Sequence, residues 1–234
     1  MRPFWLRVAY TKIAFILLLL TASWLVAYFA KPYLVQPPCA QERCDVSTIN
    51  DWDRPLLRPT HKVWSKRSDQ VQFFAGAVGV LTPVLILLVG LGRSLYSACS
   101  TVLVLLFATV LNGALNEWVR ILVQRPRPYL LLEQKAHELS NVYRYNSFYS
   151  GHTSFAALAL TTALLWTLWP RRLGPRLLRT FLLLPIAVGL IVLTARSRVL
   201  AGEHYLTDTL VGGIVGVLVG LSSFFFLVRT PKTC

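Results

Sequence analysis

Long apolar runs follow one another along the whole chain, separated by short polar or charged connections. A helix of about 20 consecutive apolar residues crosses a bilayer. Six stretches reach or approach that length, at roughly 10–30, 71–92, 95–120, 153–169, 177–195 and 206–228. The fourth is short and has to begin close to the interface. The third is long and ends in charged residues, so its last turn leaves the hydrocarbon. The pattern predicts an all-α integral membrane protein of six transmembrane helices, one domain over 1–234, with an outer loop at 31–70. No internal repeat, low-complexity tract or separate soluble domain interrupts it. The first run is expected to be a retained anchor, because it is long and Lys31-Pro32-Tyr33 after it lacks a small-residue cleavage pattern.

Composition supports that class: 55% hydrophobic residues is high for a soluble domain of this size. A net charge of +14 would suit nucleic acid, but the placement of the charges argues against that partner. Arg2, Arg7 and Lys12, the four arginines of 170–179, and Arg229 with Lys232 all fall on one side of a six-helix layout. The positive-inside rule assigns that side, with both termini, to the cytoplasm. The opposite face is basic too, but all ten acidic residues lie on or near it. Cys39 and Cys44 also lie there, in the loop 31–70, where an oxidising compartment would let them close a small disulfide; two separate thiols are the alternative. No second cysteine pair completes a metal set, so no metal is expected.

Three clusters at the ends of the apolar runs carry chemistry. The most informative is Ser197-Arg198, five residues, His204, three residues, Asp208. Arginine forks onto phosphate oxygens. Histidine attacks phosphorus once a carboxylate fixes its tautomer and steadies the cation that forms. Four apart, His204 and Asp208 share a helical face, so Asp208 is expected to accept from one ring nitrogen and leave the other free. The plain alternative is a His–Asp pair that stabilises a helix start. In the second cluster, Ser150 and Gly151 precede the fourth run, where the amides of a helix N-terminus favour an anion. His152 beside them suits a general acid for a leaving alkoxide. The first cluster is Arg120, Arg125 and Arg127, with Pro126 and Pro128 closing the helix. Arginines snorkelling at an interface are the alternative there, and Glu117 competes for Arg120.

Parity links the clusters. The first follows the third run, the second precedes the fourth, and the third lies between the fifth and sixth, so all three belong on one face. A single site at the outer interface is the expected result.

Together the clusters resemble the signature of the type 2 phosphatidic acid phosphatase superfamily: Lys-x6-Arg-Pro, then Pro-Ser-Gly-His, then Ser-Arg-x5-His-x3-Asp. The third element matches in full. In the second, Tyr149 stands where the family has proline, and in the first, Arg120 stands in place of lysine. The motif-bearing core covers about 120–208. The resemblance implies His204 as nucleophile forming a phosphohistidine, Asp208 as its orienting partner and His152 as the acid. It implies that Arg120, Arg127, Arg198, Ser150 and the Gly151 amide hold the phosphoryl oxygens, with no metal or other cofactor. Arg125 is a candidate substrate contact. The implied enzyme is a metal-independent phosphatase of lipid phosphates or diphosphates in a bacterial inner membrane, its site facing the periplasm. Undecaprenyl diphosphate, phosphatidic acid, phosphatidylglycerol phosphate and lipid A phosphates are the candidate substrates. A lipid-to-lipid phosphotransferase built on the same site and a non-catalytic binder or carrier of anionic lipid are the competing readings; binding alone would need only the cations. The loop 129–149 is a second candidate region for substrate selection.

Overall fold

The computed structural model describes residues 4–37, 47, 49–88, 95–133, 139–168 and 173–228, and these contain helix and no strand. In chain order the helices are α1 (Phe4–Leu34), α2 (Lys62–Leu88), α3 (Leu95–Val123), a short α4 (Pro128–Glu133), α5 (Gly151–Leu168), α6 (Leu173–Leu200) and α7 (Leu206–Val228). Single 3-10 turns stand at Arg54–Leu56 and Val142–Arg144. Cys39, Cys44 and the loop residues Lys135, His137 and Glu138 lie outside the described residues.

Among the described residues, Thr11–Leu34, Val102–Glu133, Phe181–Leu200 and Leu206–Leu227 are long and apolar enough to cross a membrane; α2 and α5 are 27 and 18 residues long. Their outward faces are greasy. In α1, Phe15, Leu18, Leu25, Val26 and Phe29 are exposed, and in α7, Leu210, Ile214, Leu218 and Phe225 form one exposed stripe. Apolar faces of that extent suit hydrocarbon rather than water.

The helices outrun the apolar segments at one end of the bundle. α1 continues to Leu34, α2 already begins at Lys62 and α6 runs on to Leu200, so the connection expected at 31–70 narrows to 35–61. Pairing is the reason. Lys31, 2% exposed, is held by Glu117 of α3, and Arg198, 4% exposed, donates to Ser68 of α2. A charge that finds a partner can stay on a buried helix turn.

α5 is the centre of the packing, with Ala156, Ala157, Leu158, Ala159 and Leu160 all buried. Small residues let its neighbours approach closely, as in helix pairs within membranes. Along α7, Gly212 meets the Ser150 carbonyl, and at Gly216 an added Cβ would stand 2.2 Å from the Ser154 carbonyl oxygen. Replacing Gly216 would therefore push α7 away from α5, and with it the residues at the start of both helices.

Candidate active site

Two turns and the start of α7 deliver these site residues. α3 ends because Gln124 takes a left-handed conformation, φ 48°, a common way to stop a helix. Its side-chain oxygen accepts from the Gln36 amide at 3.1 Å, which ties the end of α1 to the end of α3. Pro128 then opens α4, where its missing N–H costs nothing. Between α6 and α7, Gly202 has φ +72°, and a Cβ there would lie 2.6 Å from the carbonyl oxygens of both Arg58 and Pro59. Only glycine fits that turn, which sets Glu203 and His204 at the bundle end. At the start of α7 the Asp208 carboxylate reaches back to accept from the Tyr205 amide at 3.1 Å, the half of a capping box that an acid in the first turn supplies. Asp53 accepts from the next orphan amide, Thr207, at 2.9 Å.

His204 is 1% exposed. Its Nδ1 lies 2.7 Å from the Ser147 carbonyl oxygen. A carbonyl can only accept, so Nδ1 carries the proton and Nε2 keeps its lone pair. Asp208 was the expected partner, but its carboxylate is 3.8 Å from Nδ1, beyond hydrogen-bond reach. It acts one step removed: Ser147 Oγ donates to Asp208 Oδ2 at 2.5 Å while the Ser147 carbonyl holds the ring. The geometric reason is that His204 precedes the first turn of α7, so the two residues do not share a helical face. Burial, with Arg198, Arg127 and Arg120 close by, holds the His204 imidazole well below the ordinary histidine value. The ring is neutral at neutral pH.

Around it lie Arg120 of α3, Arg127 of the α3–α4 turn and Arg198 of α6. Arg120 donates to Glu117 at 3.0 Å, and Arg127 pairs with Glu203. Arg198 donates to Ser68 Oγ at 3.0 Å and stands 3.6 Å from Glu203. The Nε atom of each of the three is buried and has no hydrogen-bond partner among the described residues. A buried donor left unpaired is costly, so three together mark a place where an acceptor belongs. Gly151 lets α5 begin against this cluster: a Cβ would come within 3.1 Å of both Arg120 Nη2 and Asn116 Oδ1. His152 in the same turn meets Asp69 of α2, Nε2 to Oδ1 2.9 Å. Ser150 Oγ accepts from Thr153 Oγ1 at 3.1 Å, and its amide donates to the Asp208 carbonyl. Tyr149, in the place of the family proline, is buried, and its carbonyl accepts from Asn116 Nδ2 at 2.9 Å.

Arg125 is set differently from its neighbours. Nη1 donates to Thr207 Oγ1 at 2.9 Å and pairs with Asp208; Nη2 donates to Asp53 at 2.7 Å. Its guanidinium lies 3.8 Å from the Tyr205 ring centroid. Those contacts give Arg125 to the framework, not to a substrate. Burial alone would raise the Asp53 carboxyl, but hydrogen bonds from Thr207, Arg125 and Asn50 outweigh it and hold the group below the usual carboxylate range.

His204, His152, Arg120, Arg127, Arg198 and Gly151 are thus brought to one end of the bundle, with Asp208 and Ser150 supporting them. Asp53, Ser68, Asp69, Ser147 and Glu203 were not anticipated. A serine or acid in a polar connection has no spacing pattern, so nothing in the sequence singled them out.

The fold is that of an all-α membrane protein, and these residues gather three arginines and two histidines at one end of its helices. The PAP2 superfamily matches residues 101–231, more than half the chain, and the protein belongs to that family, whose members are phosphatases acting on phosphate esters. No curated protein and no solved structure matches the chain.

Proposed function

We propose that the protein is a membrane-embedded phosphatase that removes phosphate from lipid phosphates or diphosphates through a phosphohistidine on His204. One observation carries the reading: three arginines whose Nε donors are buried and unpaired among the described residues surround a neutral, fixed histidine. In this mechanism the phosphoryl oxygens take up those donors while His204 Nε2 attacks phosphorus. Charge spread over the oxygens at the transition state is met by fixed cations, the main service a protein offers phosphoryl transfer. Nδ1 stays on the Ser147 carbonyl, so the phosphorylated ring is held in place. His152 protonates the leaving oxygen, and water then attacks phosphorus to free inorganic phosphate.

Support for a lipid substrate comes from the setting. The site lies at the ends of membrane-spanning helices, where a headgroup reaches it and its chain remains among apolar faces. With the charge distribution of the loops, the same reading puts the site on the outer face of a bacterial inner membrane and both termini in the cytoplasm.

The test is phosphate release by the detergent-purified protein from undecaprenyl diphosphate, phosphatidic acid, phosphatidylglycerol phosphate and lipid A, without added metal. Release that disappears in His204→Ala is the expected result. Labelled phosphate appearing on a second lipid with none released would replace hydrolysis by transfer, and lipid binding without turnover would leave a binder.

A further inference from the structure

Asp69 stands over the site from α2, outside the family match that begins at residue 101. Its Oδ1 lies 2.9 Å from His152 Nε2 and 3.7 Å from Arg198 Nη1. The preceding residue, Ser68, is fully buried and accepts from Arg198 Nη1 at 3.0 Å. One turn of α2 thus contacts two residues of the family signature. A carboxylate can only accept, so the short contact requires the proton on His152 Nε2 and fixes how the ring stands.

The other charged groups facing His152 are Arg198 of α6 and Arg120 of α3, both cations, with His204 of the α6–α7 turn beyond them. The Asp208 carboxylate of α7 is turned to Arg125 and Ser147. Burial first, then Arg198 and Arg120, hold the His152 imidazole below its ordinary value, and an acid that must carry a proton into the reaction needs a negative charge beside it to oppose them. Asp69 supplies that charge.

We propose that Asp69 is a positioning residue of the phosphatase reaction, which holds His152 by Nε2 and leaves Nδ1 to exchange the proton. The inference rests on the acid role given to His152 above. In the first step His204 Nε2 bonds to phosphorus, the bond from phosphorus to the leaving oxygen breaks, and the Nδ1 proton of the His152 imidazolium goes to that oxygen. In the second, the Nδ1 lone pair takes a proton from the attacking water as the phosphorus–nitrogen bond breaks. Phosphate departs with His204 restored. Asp69 keeps its charge throughout and exchanges no proton.

Leaving-group chemistry tests this. p-Nitrophenolate leaves without protonation, whereas an alkoxide needs the acid. Asp69 is 62% exposed and the buried Arg198 keeps Glu203 at 3.6 Å, so its substitution leaves no buried charge without a partner. In Asp69→Asn, kcat on an alkyl phosphate is expected to fall roughly tenfold to a hundredfold. On p-nitrophenyl phosphate it stays within about threefold, and Asp69→Glu recovers most of the loss. Equal losses on both substrates would show a merely structural residue and overturn the proposal. So would unchanged or faster turnover of the alkyl phosphate, which would show Asp69 only covering the site. Inactivity of the wild type on both substrates is a different failure: it would remove the phosphatase reading itself, and this inference with it.

Discussion

Arg125 and Arg127 stand two residues apart in one proline-framed stretch, and each has carboxylates for neighbours, yet the fold uses them in opposite ways. Arg125 has both terminal nitrogens committed, to Asp53 and to Thr207 with Asp208, and its plane lies on Tyr205. It locks the loop at 50–57 to the start of α7. Arg127 pairs with Glu203 through one nitrogen, and its Nε, though buried, has no partner. Arg120 and Arg198 share that unpaired Nε. One group of cations is satisfied by the protein and the other awaits an acceptor. A cation beside an acid is therefore no guide to function until its donors have been counted.

Breaking the centre of the unsatisfied group should have the largest effect. His204→Ala is expected to lower turnover roughly a thousandfold or more, because the attacking atom is gone. Thermal unfolding in detergent should show the variant still folded. Substrate turnover near the wild-type rate would end the nucleophile assignment.

Exchanging the two arginines sharpens the comparison. Arg127→Ala should cost about a hundredfold to a thousandfold in kcat, as expected for a lost transition-state donor. Arg125→Ala should instead cost stability, about 3–5 kcal/mol, because Asp53 and Asp208 keep buried charges with no cation. Equal stability losses in chemical unfolding of the two variants would erase the distinction.

A smaller effect is set by pH. The folded His204 sits well below its ordinary value of 6.5, so the unfolded chain binds the proton first as pH falls. Stability should therefore decline as pH drops below 6.5, whereas the nucleophile stays neutral and the acid limb attributable to it lies lower still. His204→Gln should lack this component of the stability profile; an unchanged profile in that variant would place the titration elsewhere. The smallest effect is expected at Glu203, whose carboxylate lies against Arg127 and Arg198. Glu203→Gln should tighten inhibition by inorganic phosphate roughly threefold to tenfold, since a competing negative charge is gone. Weaker inhibition would mean that Glu203 holds the arginines in place instead.

Much of the architecture was legible in the chain. Apolar runs of spanning length foretold the long helices, and helix parity foretold that the three clusters would meet. The ends of the helices were not legible, because hydropathy stops at the first charge while a helix continues if that charge is paired, as Lys31 and Arg198 are. Arg125 was read as a candidate substrate contact since an arginine beside a phosphate motif looks alike whether or not its donors are spent. Asp208 looked like a direct partner of His204 at four-residue spacing, which holds only when both residues lie within one helix.

By itself, then, the sequence determined the membrane class, the family signature and the residues proposed here to carry its chemistry. These are properties of residue type and spacing along one strand of chain, and they survive without coordinates. Tertiary structure decided which groups touch. Ser147 stands between His204 and Asp208, Asp69 meets His152 from a helix 83 positions away, and Asp53 closes α7 from a connection 154 positions earlier. Hydrogen bonds and ion pairs act over a few ångströms, and only the packed helices bring such distant positions that close.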